Sequence, residues 1–244
     1  MTTTTLTDAN NTATSSSSQP FTFTISVISD TVCPWCYIGK KTLDSAIASY
    51  TSRHPNTQFQ LTWSPFMLYP RAPASGISKH RLLSKIYSSR APQILTRLTS
   101  LGLEQSINFC WQGSTGNSRN SHRLILLSDS SPTVVETLFK YNFERGYDIS
   151  DVATLARIGV ELGLFGTERD GIEWFSSGDE MVEQVDDASS KAKARGMVAS
   201  PSYVVNGRWQ VGGMQEKKVW LEVLERVRSE SDQDSGEEEE EAGK

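Results

Sequence analysis

Between residues 20 and 75 the apolar positions change period twice. Phe21, Phe23, Ile25 and Val27 alternate with polar residues and Ile28 follows, the period-two pattern of a strand with one face on a core. From Pro34 onward Ile38, Leu43, Ile47 and Tyr50 fall on one face of a helix that ends near Ser52. Phe59, Leu61 and Trp63 then alternate until Pro65 stops the run. Strand, long crossover, strand predicts a parallel pair.

From Gly76 to Arg195 the period is helical and is punctuated by start and stop signals. Ser131-Pro132 reads as an N-cap with proline at the first helical position, opening a helix over 134–145 with Gly146 beyond it. Ser150-Asp151 opens a second segment through Leu155, Ile158 and Leu162, closed by Gly163, and Asp179 opens a third that runs to Gly196. This block of 120 residues is far too long for a loop. Strand signals return at Ser202–Val205 and Arg208–Val211. They flank Asn206-Gly207, the pair that suits a type I′ turn because both central residues need positive φ. Gly212-Gly213 leads into a last helix with Val219, Trp220, Val223, Leu224 and Val227 on one face. Trp63, Trp174 and Trp220 are taken as core.

Charge is distributed unevenly over this frame. The 16 residues from Ser229 to Lys244 hold eight acids against Lys244, a net of −7, and removing them and Asp8 from the whole-chain −5 leaves +3 for residues 21–228. The acidity of the chain therefore belongs to its tail, read as a disordered, solvated segment over 229–244. Residues 1–19 are mostly Thr, Ser, Ala and Asn, with one acid, no Lys or Arg and no apolar run, and read as a disordered arm. They lack the features of a secretory signal or a transit peptide, which points to the cytoplasm. No apolar stretch approaches the roughly 18 residues of a membrane span, and no basic cluster suggests nucleic acid.

The candidate chemistry is Cys33-Pro34-Trp35-Cys36, placed between the first strand and the first helix. Residues three apart on a helix share a face, so the two sulfurs can bond with little backbone movement. Pro34 suits the first helical position because its φ is already helical and it has no N–H to leave unpaired. The N–H groups and positive dipole end of that helix face Cys33, favouring thiolate over thiol. Cys33 is thus the expected nucleophile. Cys36, one turn further in, keeps the higher pKa of a resolving thiol.

Other uses of CxxC fare worse. Zinc needs two further ligands at compatible spacing, and the chain offers only Cys110 and the isolated His54, His80 and His122. No metal is therefore expected. Three cysteines in 244 residues do not make a disulfide framework, and Cys110 reads as a small buried apolar residue.

A CxxC on the first helix of a βαβ unit, completed by a later ββα, predicts an α/β protein of thioredoxin fold with a large all-helical insertion. The expected division is a thioredoxin-like domain over 20–75 and 196–228 and an inserted helical domain over 76–195. Four segments carry a more specific resemblance: Ser29 to Lys40 around the cysteines, Asn117 to Leu124, Leu138-Phe139 through Gly146 to Ser150, and Ala199 to Gly207. In these the chain resembles the DsbA-like branch of the thioredoxin superfamily, close to the FrnE-type oxidoreductases and related to 2-hydroxychromene-2-carboxylate isomerases and kappa-class glutathione transferases. About 5–6% of X-Pro bonds are cis, so the residues alone favour a trans Pro201. The resemblance implies a cis Pro201 facing the CxxC, with the Ser200 backbone presented to substrate. It also implies that Pro34, Trp35 and Asn117 border the site. Asp30 reads either as a group acting on the thiol or as a turn-capping acid, Trp35 as docking surface or exposed aromatic face, and His122 as a packed or solvent-facing helical residue.

The expected activity is thiol-disulfide exchange on a protein disulfide or glutathione. Glutathione is the expected co-substrate, and no bound cofactor is expected. Pro34-Trp35 resembles the glutaredoxin dipeptide more than that of DsbA, which implies a potential nearer about −200 to −230 mV than −120 mV. A kappa-type glutathione-dependent isomerase or transferase, and a non-catalytic chaperone or binding module, are the alternatives. The sequence leaves the oligomeric state open, a homodimer included.

Overall fold

The computed structural model describes residues 19–73 and 76–242, with side chains as far as Ser231. The expected arm over 1–19 lies outside the described residues except for Gln19. Four strands form the main sheet in the order β2-β1-β5-β6. β1 (Phe21–Ser29) runs parallel to β2 (Thr57–Pro65), in register from Phe21 opposite Thr57 to Ser29 opposite Pro65. β5 (Ser202–Val205) pairs antiparallel with β1, and β6 (Trp209–Gly212) antiparallel with β5. The hairpin between them turns at Asn206 and Gly207, with φ of 47° and 68° as a type I′ turn requires. Asn206 is held further by Thr24, whose N–H donates to Asn206 Oδ1 at 2.9 Å.

Helices cover the sheet on both faces. α1 (Pro34–Arg53) lays Ile38, Leu43, Ala46 and Tyr50 on the face carrying Phe23, Ile25 and Val27, all of them buried. Phe23 meets Tyr50 edge-on at 5.4 Å. α9 (Lys217–Ala242) packs beside α1 and buries Trp220, Leu224 and Val227, with Trp220 edge-on to Tyr203 of β5 at 4.7 Å. The opposite face is met by α8 (Val182–Ala194), where Ser189 Oγ accepts from Met67 N–H at 3.0 Å.

The remaining helices are α2 (Lys79–Tyr87), α3 (Ala91–Glu104), α4 (Arg119–Leu127), α5 (Pro132–Phe143), α6 (Val152–Glu161) and α7 (Glu168–Ser177). Several begin where the side chains demand. Pro132 is the first residue of α5, and Asp151 caps α6 by accepting from Thr154 N–H at 2.8 Å. Gly146 and Gly163 take positive φ after α5 and α6. Leu124, Leu138, Phe139 and Leu155 of these helices are buried in the same apolar cluster as Ile38 of α1 and Val27 of β1. At the seam Tyr37 stacks on Phe139 at 5.0 Å and lies 6.2 Å from Phe143, and each such aromatic pair adds about 0.5–1.5 kcal/mol to its area burial.

Three features differ from the periodicity reading. The block is not wholly helical, because β3 (Ile77–Ser78) and β4 (Ser114–Thr115) pair antiparallel, and Lys79 N–H donates to Gly113 O beside them. α8 starts at Val182 instead of Asp179, since Met181 holds a left-handed conformation of φ 62° that a helix cannot contain. Finally, α9 continues to Ala242 through the acidic stretch where composition predicts disorder. A docked helix needs no new nucleus to propagate, and Glu is a good helix former. Trp63 and Trp220 are buried as expected, whereas Trp174 is half-buried, with Nε1 donating to Glu180 Oε2 at 3.0 Å. Among the described residues no helix is long and apolar enough to cross a membrane.

Candidate active site

Cys33 is the N-cap of α1, with an extended backbone of φ −98° and ψ 112°, and Pro34 follows at the first helical position. This conformation turns the chain from β1 into the helix, and Cys33 N–H donates to Asp30 O at 3.0 Å to close the turn. Cys36 lies one turn along, and both cysteines are thiols. Cys33 is only 3% exposed. Its sulfur lies 3.6 Å from the carbonyl oxygen of Ser200, and the Ser200–Pro201 peptide is cis, as the resemblance implied.

The two thiols are driven apart in acidity. Burial pushes Cys33 up, but hydrogen bonds from the Cys36 thiol, the Ser200 hydroxyl and the Cys36 backbone N–H outweigh it. Together they leave Cys33 below the ordinary thiol range in spite of the nearby Asp30 charge. Cys36 is pushed well above that range, first by burial and then by its hydrogen bond to Cys33 and the charge there. The Ser200 hydroxyl is buried with no well-aligned partner among the described residues, which leaves it for the thiolate. The arrangement can present one ionised sulfur at a time, the division of labour that attack and resolution require.

Gly39 brings α1 close to the Pro201 segment. A Cβ there would meet the Tyr203 hydroxyl and lie 3.2 Å from Pro201 Cγ. Glycine is thus the residue that lets the first two turns of α1 lie against β5. Asp30 is fully buried. Oδ2 accepts from Leu68 N–H at 2.7 Å and Oδ1 from Val32 N–H at 3.3 Å, so it anchors the turn before Cys33 while its charge opposes the thiolate. Both sequence readings of Asp30 thus describe real interactions.

His122 is a packed residue of α4, one of the two placements expected for it. It is 2% exposed, and its Nε2 sits 3.5 Å from Asp30 Oδ1 behind the cysteine turn. Trp35 is half-buried. Its Nε1 donates to Tyr87 Oη at 3.2 Å and the Arg97 guanidinium lies over its ring at 5.5 Å, tying α1 to α2 and α3. Asn117 does not line the small cavity at Cys33 but a surface depression that shares Pro70, Arg71 and Ala72 with the groove beside it. Its Nδ2 donates to Pro70 O at 2.8 Å and its Oδ1 accepts from Arg119 N–H at 2.9 Å, with Arg71 and Ser150 in the same depression. Cys110 is half-buried, close to Gly146.

Sequence reasoning missed a second group entirely. Tyr69, Lys79, Tyr87 and Thr115 line a small cavity next to Cys33 and Pro34, walled by Val32, Leu83 and Phe143. The phenols of Tyr69 and Tyr87 are both pushed up, by burial first, with the Cys33 charge adding to each. These residues come from α2, from β4 and from the loop after β2. No spacing rule connects them to the CxxC, and only the burial of a lysine marks the place. Among the described residues no cluster of His, Cys, Asp and Glu is suited to hold a metal ion.

Comparison with known proteins bears on this geometry. Solved structures similar to the chain include a probable DsbA oxidoreductase from Streptomyces coelicolor, with a TM-score of 0.72 and 19% identity over 85% of this chain and 91% of that one. A 2-hydroxychromene-2-carboxylate isomerase matches with a TM-score of 0.60 and 16% identity over 88% and 98%. The cytosolic disulfide reductase DsbM from Pseudomonas aeruginosa matches with a TM-score of 0.53 and 18% identity over 84% and 98%. At such identities these likenesses establish the fold. A search of curated proteins returned no match. The family model of the DSBA-like thioredoxin domain matches residues 24–224, from the first strand to the last helix and so across both cysteines and Pro201, and the chain belongs to that family.

Proposed function

We propose that the protein is a thiol-disulfide oxidoreductase in which Cys33 attacks and Cys36 resolves. The observation that carries this is the placement of the two thiols one turn apart at the start of α1, with the Cys33 sulfur 3.6 Å from the Ser200 carbonyl oxygen before the cis Pro201; the opposed shifts, Cys33 lowered and Cys36 raised, agree with it. The Cys33 thiolate attacks one sulfur of a disulfide, forming a mixed disulfide and releasing the other sulfur as a thiolate that takes a proton from solvent. Cys36 then loses its proton, attacks the Cys33 sulfur and releases the second thiol. The protein dithiol is oxidised by two electrons and the substrate disulfide is reduced. Glutathione is the proposed electron source that returns the Cys33–Cys36 disulfide to thiols, and the cytoplasm the proposed compartment. The match to a cytosolic disulfide reductase, which has also been crystallised with GSH, supports both. The dipeptide between the cysteines supports a potential of about −200 to −230 mV.

A Cys36→Ser variant tests the reading, because it should accumulate Cys33 mixed disulfides that mass spectrometry resolves, while Cys33→Ser accumulates none. Titration of thiolate absorbance should give Cys33 a pKa below the ordinary thiol value of about 8.5. A Cys33 still protonated above pH 8.5, or turnover of glutathione with an electrophile that survives Cys33→Ser, would overturn the assignment in favour of the isomerase or transferase chemistry of the relatives.

A further inference from the structure

Cys33 is deeply set, and a small cavity lies against it. The small cavity that it lines, of about 40 Å³, shares Leu68, Tyr69, Leu82 and Ile86 with a larger groove of about 480 Å³. That groove runs between the Leu68–Pro73 segment and α2, with Arg71 and Lys85 exposed on its rim. At its inner end Lys79 is 3% exposed and donates to one acceptor, the Asn142 carbonyl oxygen. Beside it Thr115 Oγ1 is buried with no partner among the described residues. Among the described residues neither the cavity nor the groove has an Asp or Glu in its lining. The sequence explains why, since no acid occurs between Asp44 and Glu104, a stretch that supplies one wall and contains Arg71, Lys79, Arg81, Lys85, Arg90 and Arg97.

An ammonium buried with a single carbonyl and next to an unsatisfied hydroxyl is an expensive arrangement for a structural role. It is the arrangement that a carboxylate would complete, by accepting from both groups. We propose that this groove is the entry and binding site for a low-molecular-weight disulfide bearing a carboxylate, with Lys79 and Thr115 holding the carboxylate while Cys33 attacks the sulfur. The inference rests on the thiol chemistry proposed above and names its substrate class: a small anionic disulfide in preference to a folded protein disulfide. The inner cavity takes only a few atoms, so the carboxylate lies close in the ligand to the reacting sulfur, and the remainder occupies the outer groove. Burial lowers Lys79 to about 8, against the opposing pull of Cys110 and Asp148 outside the lining, so it still carries its charge near neutrality. Lys79 acts on the substrate by position and leaves the sulfur chemistry to the cysteines. The exchange itself balances as described above, with the carboxylate unchanged.

The test uses the full chain with Cys36→Ser and Cys110→Ala, so that Cys33 is the one reacting sulfur. Rates of mixed-disulfide formation are measured by mass spectrometry for 3,3′-dithiodipropionate (anionic), bis(2-hydroxyethyl) disulfide (neutral) and cystamine (cationic), each divided by its rate with a simple thiol in solution. The expected order is anionic, neutral, cationic. Lys79→Met should cut the anionic reagent's advantage over the neutral one by about tenfold or more, the value of one charge-assisted hydrogen bond. It should leave the neutral rate within about threefold. Lys79→Arg should retain part of the preference, and the exposed rim pair Arg71→Gln/Lys85→Gln should lose about two- to threefold. A flat charge series in the unsubstituted groove, or equal losses for all three reagents in Lys79→Met, would overturn the proposal. Should Lys79→Met fail to fold, the rim variant and a competition decide. Propionate at millimolar concentration should slow carbamidomethylation of Cys33 in the intact groove, and no protection counts against the site. Failure of Cys33 to react with any of the three reagents would instead sink the oxidoreductase reading.

Discussion

Two buried cations of the helical block, Arg123 on α4 and Lys79 at the start of α2, show opposite ways of handling a charge. Arg123 on α4 is 2% exposed and satisfied on every side. Nε donates to Glu180 O at 2.9 Å, Nη1 to Asn120 Oδ1 at 3.0 Å and Phe175 O at 3.4 Å, and Nη2 to Gly178 O at 2.8 Å and Trp174 O at 3.5 Å. Its guanidinium also lies 4.4 Å from the Trp174 ring centre. Four of the five acceptors are carbonyls at the end of α7 and in the loop to α8, so Arg123 pins those elements to α4. Lys79, just as buried, has one acceptor and faces a cavity that contains the reactive sulfur. A fully satisfied buried charge organises a fold; a partly satisfied one reserves its remaining hydrogen bonds for something that arrives.

Removing each cation tests this contrast, and the largest effect is expected at the satisfied one. Arg123→Met strands several carbonyl oxygens and should cost about 3–5 kcal/mol in urea unfolding, whereas Lys79→Met should stay within about 1 kcal/mol of the unsubstituted protein. Equal losses would erase the distinction. The converse experiment is Gly39→Ala, whose methyl group must displace the Tyr203 hydroxyl or Pro201 beside Cys33. Exchange activity should fall about tenfold to a hundredfold because the Ser200 carbonyl and the sulfur lose their relative placement. The stability cost should be only about 1–3 kcal/mol. A further effect lies in pH dependence and is confined to alkaline conditions. Lys79 has its folded pKa lowered to about 8 from 10.5, so above pH 8 the folded state binds fewer protons than the unfolded one and stability rises with pH until about 10.5. Lys79→Met should flatten that rise, and Arg123→Met should leave its slope unchanged, as comparison of unfolding midpoints at pH 7.5 and 10 would show.

The same contrast explains what the sequence made legible. β1, β5 and the hairpin turn follow from alternation and from Asn206-Gly207, and α1 opens at the proline that its own φ prepares. The thiol pair is local, so three residues of spacing and one helix start suffice to find it. The long-range partners leave no such trace. Lys79 reaches Cys33 across a gap of 46 residues in the chain, His122 meets Asp30 from α4, and Arg123 finds carbonyls more than 50 residues away. The β3–β4 pair is two residues long on each side, too short for any periodicity. Met181 shows the same limit at a single residue, since nothing in its side chain announces a left-handed turn.

Tyr37 has a consequence for how the molecule answers to strain. It follows Cys36 directly in α1, its ring is wedged against Phe139 and Phe143 of α5, and its hydroxyl donates to Glu144 just beyond. Any tilt of α5 therefore acts as a lever on the first turn of α1, where a few tenths of an ångström alter the hydrogen bonds that ionise one sulfur. Substitutions in the hydrophobic interior of the helical block should register as altered thiol reactivity before they register as loss of structure.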